Sequence, residues 1–204
     1  MLTVALPKGR IADGTLEVFK AIYGDDFEFE DRKLILEKKG FKFLAVRNQD
    51  IPTYVSNGAA DIGVVGLDVL EEHKSDVLRL LDLGFGKCRV CVGVKNEFTL
   101  DYDMPGIKVA TKMPNITKEF FASKATPVTI IKLYGSIELA PLIGLADAIV
   151  DNVETGTTMK QNGLKVAETI MQSSAYLISN KNSFITKRAE ILALTSKISA
   201  HLNS

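Results

Sequence analysis

The sequence predicts an α/β protein made of two α/β lobes that face each other across a cleft. Three observations predict it. Buried-strand runs alternate with helical stretches along the whole chain, the grammar of strands joined by helices. Two pieces echo within the chain. Gly58-Ala59-Ala60-Asp61-Ile62-Gly63-Val64-Val65 resembles Gly144-Leu145-Ala146-Asp147-Ala148-Ile149-Val150-Asp151, and Val4-Ala5-Leu6-Pro7-Lys8 resembles Val109-Ala110-Thr111-Lys112-Met113-Pro114. Finally, the segments richest in small, polar and charged residues fall just after strands, where open α/β sheets place their ligands.

The elements follow in order. Residues 3–6 form a strand stopped by Pro7, and 11–23 a helix. Residues 41–46 form a strand. Asp50 and Pro52 mark the start of a short helix over 51–57. A buried strand over 61–65 and a helix over 67–73 come next. The second half repeats the alternation, with strands at 107–110, 128–133 and 148–150 and helices at 117–124 and 137–143. Residues 164–180 read as two strands with a bend, and 185–202 as a closing helix. The sheets are expected to be mainly parallel. The chain crosses between lobes near Val94 and returns near Met171, which gives a discontinuous first lobe (1–93 with 172–204) and a second lobe (94–171).

Composition narrows the function classes. The chain has 204 residues, enough to bury a sizeable core. Lys plus Arg and Asp plus Glu number 25 each, so no net field recruits nucleic acid or an anionic membrane. No apolar run reaches membrane-spanning length and no signal peptide is visible, so the expected location is cytoplasmic. Cys88 and Cys91 form a C-x-x-C within a strand-like run. A structural zinc site needs four ligands, and the two histidines are His73 and His201. A redox pair usually opens a helix, so these read as free structural thiols. No serine-nucleophile triad, phosphate-binding P-loop or H-E-x-x-H is present. No protein-bound metal is expected.

The most informative segment is Ala148-Ile149-Val150-Asp151-Asn152-Val153-Glu154-Thr155-Gly156-Thr157-Thr158. A buried strand delivers Asp151 and then Glu154. Gly156 can take positive φ, so neighbouring amides converge on an anion, and the three threonine hydroxyls add donors. Donors for a phosphate beside carboxylates for sugar hydroxyls are what a ribose 5-phosphate requires. A strand end followed by a Thr-capped helix with solvated acids fits the same residues. A second cluster lies on first-lobe strand ends. Lys8, Gly9 and Arg10 follow a strand and open a helix, placed either for a polyphosphate or simply in solvent. Arg32 and Arg47 are further anion-binding candidates, each also readable as a surface residue. Asp68 follows the strand at 62–65, either to bond a base or sugar or to cap its helix. Arg89 lies within a strand and needs a partner or a ligand.

With these pieces in place, the chain closely resembles the ATP phosphoribosyltransferase family. The matching residues are Glu138, Gly144, Ala146, Asp151, Thr155, Gly156, Thr158 and Met159, with Leu6-Pro7-Lys8-Gly9-Arg10, Asp31-Arg32-Lys33-Leu34, and Arg47 with Asp50-Ile51-Pro52. One position departs: Asn152 stands where an aliphatic residue usually follows the acid. The resemblance covers the chain end to end. It implies a periplasmic-binding-protein-like (type II) fold and transfer of the phosphoribosyl group of 5-phosphoribosyl diphosphate to N1 of ATP. It also implies the short form, a homodimer working with a histidyl-tRNA-synthetase-like regulatory subunit. On this reading Asp151, Glu154, Thr155, Gly156, Thr157 and Thr158 hold the phosphoribosyl group. Lys8, Gly9, Arg10 and Asp68 serve ATP, and Arg32, Arg47 and Asp151 are catalytic. Mg²⁺ arrives on the diphosphate. Phosphoribosyl transfer to another base and a non-catalytic two-lobed solute-binding module are the alternatives.

Overall fold

The computed structural model describes residues 1–30 and 32–203; Asp31, part of one expected motif, and Ser204 lie outside the described residues. The elements in chain order are β1 (Leu2–Pro7), α1 (Arg10–Tyr23), β2 (Ile35–Lys38), β3 (Phe41–Val46), α2 (Ile51–Ser56), β4 (Ile62–Gly66), α3 (Leu67–His73) and β5 (Leu78–Asp82). There follow β6 (Cys88–Lys95), β7 (Ile107–Thr111), α4 (Pro114–Ser123), β8 (Val128–Lys132), α5 (Leu139–Leu142), β9 (Ala148–Val153), α6 (Thr157–Gln161) and β10 (Leu164–Ser173). β11 (Ala175–Ser179), α7 (Lys181–Thr186) and α8 (Arg188–Leu202) close the chain.

These elements form two units, Met1–Lys87 with Ser174–Ser204 and Cys88–Ser173. The chain therefore changes unit at Cys88 rather than near residue 94, because β6 pairs along its length with β9 and β10. The first sheet runs β2-β3-β1-β4-β11-β5. Alternation along β1 sends Val4 and Leu6 into a core with Phe19, Phe43 and Ile191, and Ala5 into a second core with Ile51, Val55 and Leu70. Helices thus cover both faces. The second sheet runs β10-β6-β9-β7-β8. Val92, Val109 and Val150 face Phe121 of α4, while Cys91, Ala110 and Ile149 face Ala140 of α5 and Met159 of α6.

The expectation of mainly parallel sheets is corrected: both are mixed. Parallel pairing links β1 with β3 and β4, and β7 with β8 and β9, where a helix carries the chain back. The β2–β3 pair is a hairpin whose two loop residues, Lys39 and Gly40, take φ 52° and 80°. Two consecutive positive φ values match the twist of tight hairpins. β6, β10, β11 and β5 also pair antiparallel. The single closing helix expected over 185–202 is two, α7 from Lys181 and α8 from Arg188, and the Asn180 side chain caps the first by accepting the Ser183 N–H at 2.9 Å. Cys88 and Cys91 form no disulfide and sit three positions apart on β6, so they point to opposite faces.

The sequence echoes have a physical basis. Asp61 N–H donates to Thr3 O while Thr3 N–H donates to Asp61 Oδ2, at 2.9 and 2.8 Å. Asp147 and Lys108 make the same reciprocal pair in the second unit, both at 2.9 Å. Each aspartate fixes the register of a β4-type strand against its β1-type neighbour, and the order β3-β1-β4 recurs as β8-β7-β9.

Asp61 also accepts from Lys187 Nζ at 2.7 Å and from Ser183 Oγ at 2.8 Å. Burial pushes its carboxyl up, but the bonds from Lys187, Thr3 and Ser183 outweigh that and hold it below its ordinary value. A lowered folded-state value gives stability that is present above the unfolded value and lost as pH falls through the folded one. Asp61→Asn is expected to cost about 2 kcal/mol near neutrality and to flatten the acid limb of stability against pH. Urea melts from pH 7 to 3 check both; superimposable curves contradict the assignment.

Candidate active site

The second unit builds its site from the carboxyl ends of β7 and β9. Thr111, fully buried, donates its hydroxyl to Val150 O and accepts the Met113 N–H, both at 2.8 Å, which locks the two strand ends together. Asp151 follows Val150 on the face shared with Ile149 and Val153. Its Oδ1 accepts the Asn152 N–H at 2.7 Å and an ion pair from Lys112 Nζ at 2.8 Å. Beyond β9 the chain turns through Glu154 and Thr155 to Gly156, which takes φ 82° and ψ 0°. An L side chain is strained there, which is why glycine stands at the turn.

Gly156 opens α6, whose first intrahelical bond runs from Lys160 N–H to Gly156 O at 3.0 Å. The Thr158 and Met159 amides precede that bond and have no acceptor among the described residues. Thr155 Oγ1 lies 2.9 Å from Thr157 Oγ1 and accepts the Thr157 N–H at 3.3 Å. Thr155, Thr157 and Thr158 are exposed. Together with Glu138, Asp151, Glu154 and Gly156 they line a cavity of about 230 Å³. The six loop residues named from the sequence are therefore gathered at one place. In the alternative reading a threonine caps the helix; here Gly156 occupies the cap position, and Thr155, one residue earlier, accepts the Thr157 N–H.

In the first unit a cavity of about 490 Å³ is lined by Lys8, Gly9, Arg32, Phe29 and Ala45, among others, and by the carboxylates Asp13, Glu17, Asp26 and Glu28. Gly9 precedes α1 with φ 84°. Lys8, Gly9 and Arg32 are exposed at this cavity; its apolar residues suit a flat ring, and Lys8 and Arg32 suit an anion. Arg10, Arg47 and Asp68 line neither cavity. Arg47 is exposed at the end of β3, where its carbonyl accepts the Asp50 N–H at 2.9 Å. Asp68 is buried in the first turn of α3, and the cap position there belongs to Gly66, which removes the capping reading. Arg89 is half-buried on β6, opposite Val153, and its side chain has no hydrogen bond or ion pair among the described residues. Asn115 and Ile116 lie in the first turn of α4 outside the loop cavity, and Thr117 turns its hydroxyl inward to Met113 O at 2.7 Å. Among the described residues no three His, Cys, Asp or Glu side chains are grouped to hold a metal ion. No helix among them is long and apolar enough to cross a membrane.

Comparison with known proteins adds an independent observation. The family described as "HisG: ATP phosphoribosyltransferase" matches residues 47–200. The "ATP phosphoribosyltransferase" of Campylobacter fetus is 72% identical over 203 residues, covering 100% of both chains. The chain belongs to the ATP phosphoribosyltransferase family. It is thereby a pentosyl-group transferase, the enzyme type of the first step of histidine biosynthesis. A second family member, from Sulfurovum, is 67% identical over 204 residues, covering 100% of this chain and 99% of that one. Among solved structures, the "ATP phosphoribosyl transferase (HisG:HisZ) complex from Thermotoga maritima" contains a chain 34% identical with a TM-score of 0.87. The match covers 100% of this chain and 99% of that one. The periplasmic aliphatic sulphonate binding protein SsuA from Escherichia coli is 12% identical, with a TM-score of 0.65 over 98% of this chain and 72% of that one. That likeness concerns the fold alone, the two-lobed periplasmic-binding-protein type that family resemblance implies.

Two residues at the loop carry more than sequence reasoning assigned to them. Glu138 stands in the family motif but received no role, and it lines the loop cavity. Lys112 figured only in an internal echo, yet its ammonium touches the loop acid. The signal for Lys112 is positional: it follows β7 as Lys8 follows β1.

Proposed function

We propose that the chain transfers the phosphoribosyl group of 5-phosphoribosyl diphosphate to N1 of the adenine of ATP, releasing diphosphate, with the loop over 151–158 as the phosphoribosyl site. The observation that supports it best is the loop cavity: unengaged amides of Thr158 and Met159, exposed threonine hydroxyls and an adjoining Asp151 and Glu154. In this reading the amides and the hydroxyls of Thr155, Thr157 and Thr158 take the 5-phosphate. Asp151 and Glu154 accept hydrogen bonds from the ribose hydroxyls.

Departure of diphosphate leaves positive charge on the sugar ring. Fixed carboxylates beside the ring favour that charge, and cations favour the leaving group. N1 of adenine carries its own lone pair, so the attack needs no general base. Arg32 and Arg47 are assigned to the diphosphate and triphosphate, with Lys8, Gly9 and Arg10 contributing to ATP binding. Asp68, buried on α3, completes that set. Mg²⁺ enters as part of the substrate, held by the diphosphate oxygens and water.

The reading extends to assembly and location. The chain is assigned to a homodimer that joins a histidyl-tRNA-synthetase-like regulatory subunit in a hetero-oligomer, working in the cytoplasm. The Thermotoga maritima relative, solved as a HisG:HisZ complex, supports the hetero-oligomer. The test of the reaction is direct. Purified chain incubated with ATP, 5-phosphoribosyl diphosphate and Mg²⁺ is expected to yield an N1-modified adenine nucleotide and diphosphate, read by ultraviolet absorbance and mass spectrometry. Anion binding without product, with and without a regulatory subunit, contradicts the reading and favours a solute-binding module.

A further inference from the structure

We infer that Lys112 is a positioning residue for the reaction, holding Asp151 so that one carboxylate oxygen faces the ribose. The inference rests on the phosphoribosyl assignment of the loop. Asp151 Oδ1 takes two donors at once, Lys112 Nζ at 2.8 Å and the Asn152 N–H at 2.7 Å. Oδ2 has no partner among the described residues. A carboxylate has two oxygens able to accept, and here all the protein's donors converge on one. The other is left for a substrate hydroxyl, with its direction fixed by the first.

The support under Lys112 is itself rigid. Its neighbour Thr111 bonds β9 through Val150 O and the following turn through Met113 N–H. The next turn is held by Thr117, whose hydroxyl donates to Met113 O at 2.7 Å. Strand alternation carries Lys112 to the face of Ala110, the face that Asp151 shares with Ile149. Stability is a weak explanation for this pair. The Lys112 side chain is 32% exposed and that of Asp151 15%, and partly exposed ion pairs contribute little to folding. A pair that fixes an acid's geometry acts on the reacting sugar instead, where small misplacements are costly.

The test is a double-mutant cycle on the full chain, with steady-state kinetics, calorimetric titration of ribose 5-phosphate and thermal unfolding on each variant. Lys112→Met is expected to lower kcat/KM for 5-phosphoribosyl diphosphate roughly ten- to hundredfold and to weaken ribose 5-phosphate binding, with the unfolding midpoint nearly unchanged. Lys112→Arg, which keeps a cation in reach, is expected to recover most of the loss. Once Asp151→Asn is in place, Lys112→Met is expected to add little, because the two act as one unit. Full additivity of the two substitutions, or wild-type kinetics in Lys112→Met beside an impaired Asp151→Asn, overturns the inference alone. Wild-type kinetics in Asp151→Asn overturns the loop assignment beneath it.

Discussion

Asp151→Asn is expected to cut turnover on the order of 10²-fold with the fold intact, a loss of about 2.7 kcal/mol of transition-state stabilisation. The substitution preserves shape, removes the charge and turns one acceptor oxygen into an NH2 donor. Asp151 is the acid whose position the strand ends of β7 and β9 determine, and it lines the loop cavity. A sugar ring losing diphosphate gains positive character, so a nearby fixed carboxylate matters more in the transition state than in the ground state. Thr158→Ala, which removes a hydroxyl with no partner among the described residues, is expected to act differently. It raises KM for 5-phosphoribosyl diphosphate as well as lowering kcat, since a phosphate is bound in both states. Steady-state rates with circular dichroism as the folding control check both, and wild-type rates in the pair contradict the loop assignment.

Arg32→Ala is expected to lower kcat by roughly hundredfold while changing the affinity for ribose 5-phosphate little. Arg32 is exposed at the first-unit cavity with Lys8 and Gly9 and is not among the residues that line the loop cavity. A cation whose work is to meet charge building on the leaving diphosphate contributes chiefly in the transition state. Ribose 5-phosphate carries no diphosphate, so its binding does not report on that contact. Equal losses in kcat and in ribose 5-phosphate affinity would assign Arg32 to simple ground-state binding. Unchanged kcat would remove it from catalysis.

Much of this was legible in the chain itself, for identifiable reasons. The alternation of helix and strand was readable because parallel pairs such as β1 and β4 are buried on both faces and stay apolar. The echo around Asp61 and Asp147 was readable because one reciprocal backbone device serves both units. Strand direction was not readable, since periodicity carries no sign: the antiparallel β11 looks no different in sequence from a parallel strand. β2 escaped notice because Ile35 is exposed and its face alternates only weakly. The start of α7 was present as Asn180 three residues before Ser183, a cap signal that was overlooked.

At the site, contiguous residues were found and distant ones were not. The turn from Asp151 to Thr158 keeps its donors and acceptors within eight positions, so its chemistry can be read locally. Lys112 meets Asp151 only because Thr111 pairs with Val150 in the β7–β9 register, which no local pattern encodes. Glu138 reaches the same cavity from the start of α5. Arg47 and Asp68 show the opposite case: strand-end position drew attention to them, but neither lines the cavity that holds Lys8 and Arg32.

The most direct measurement is a crystal structure of the full chain with 5-phosphoribosyl diphosphate bound. The expected result places the 5-phosphate within hydrogen-bond distance of the Thr158 and Met159 amides, with a ribose hydroxyl on the free oxygen of Asp151. A sugar phosphate bound elsewhere, with those amides still facing water, contradicts the account.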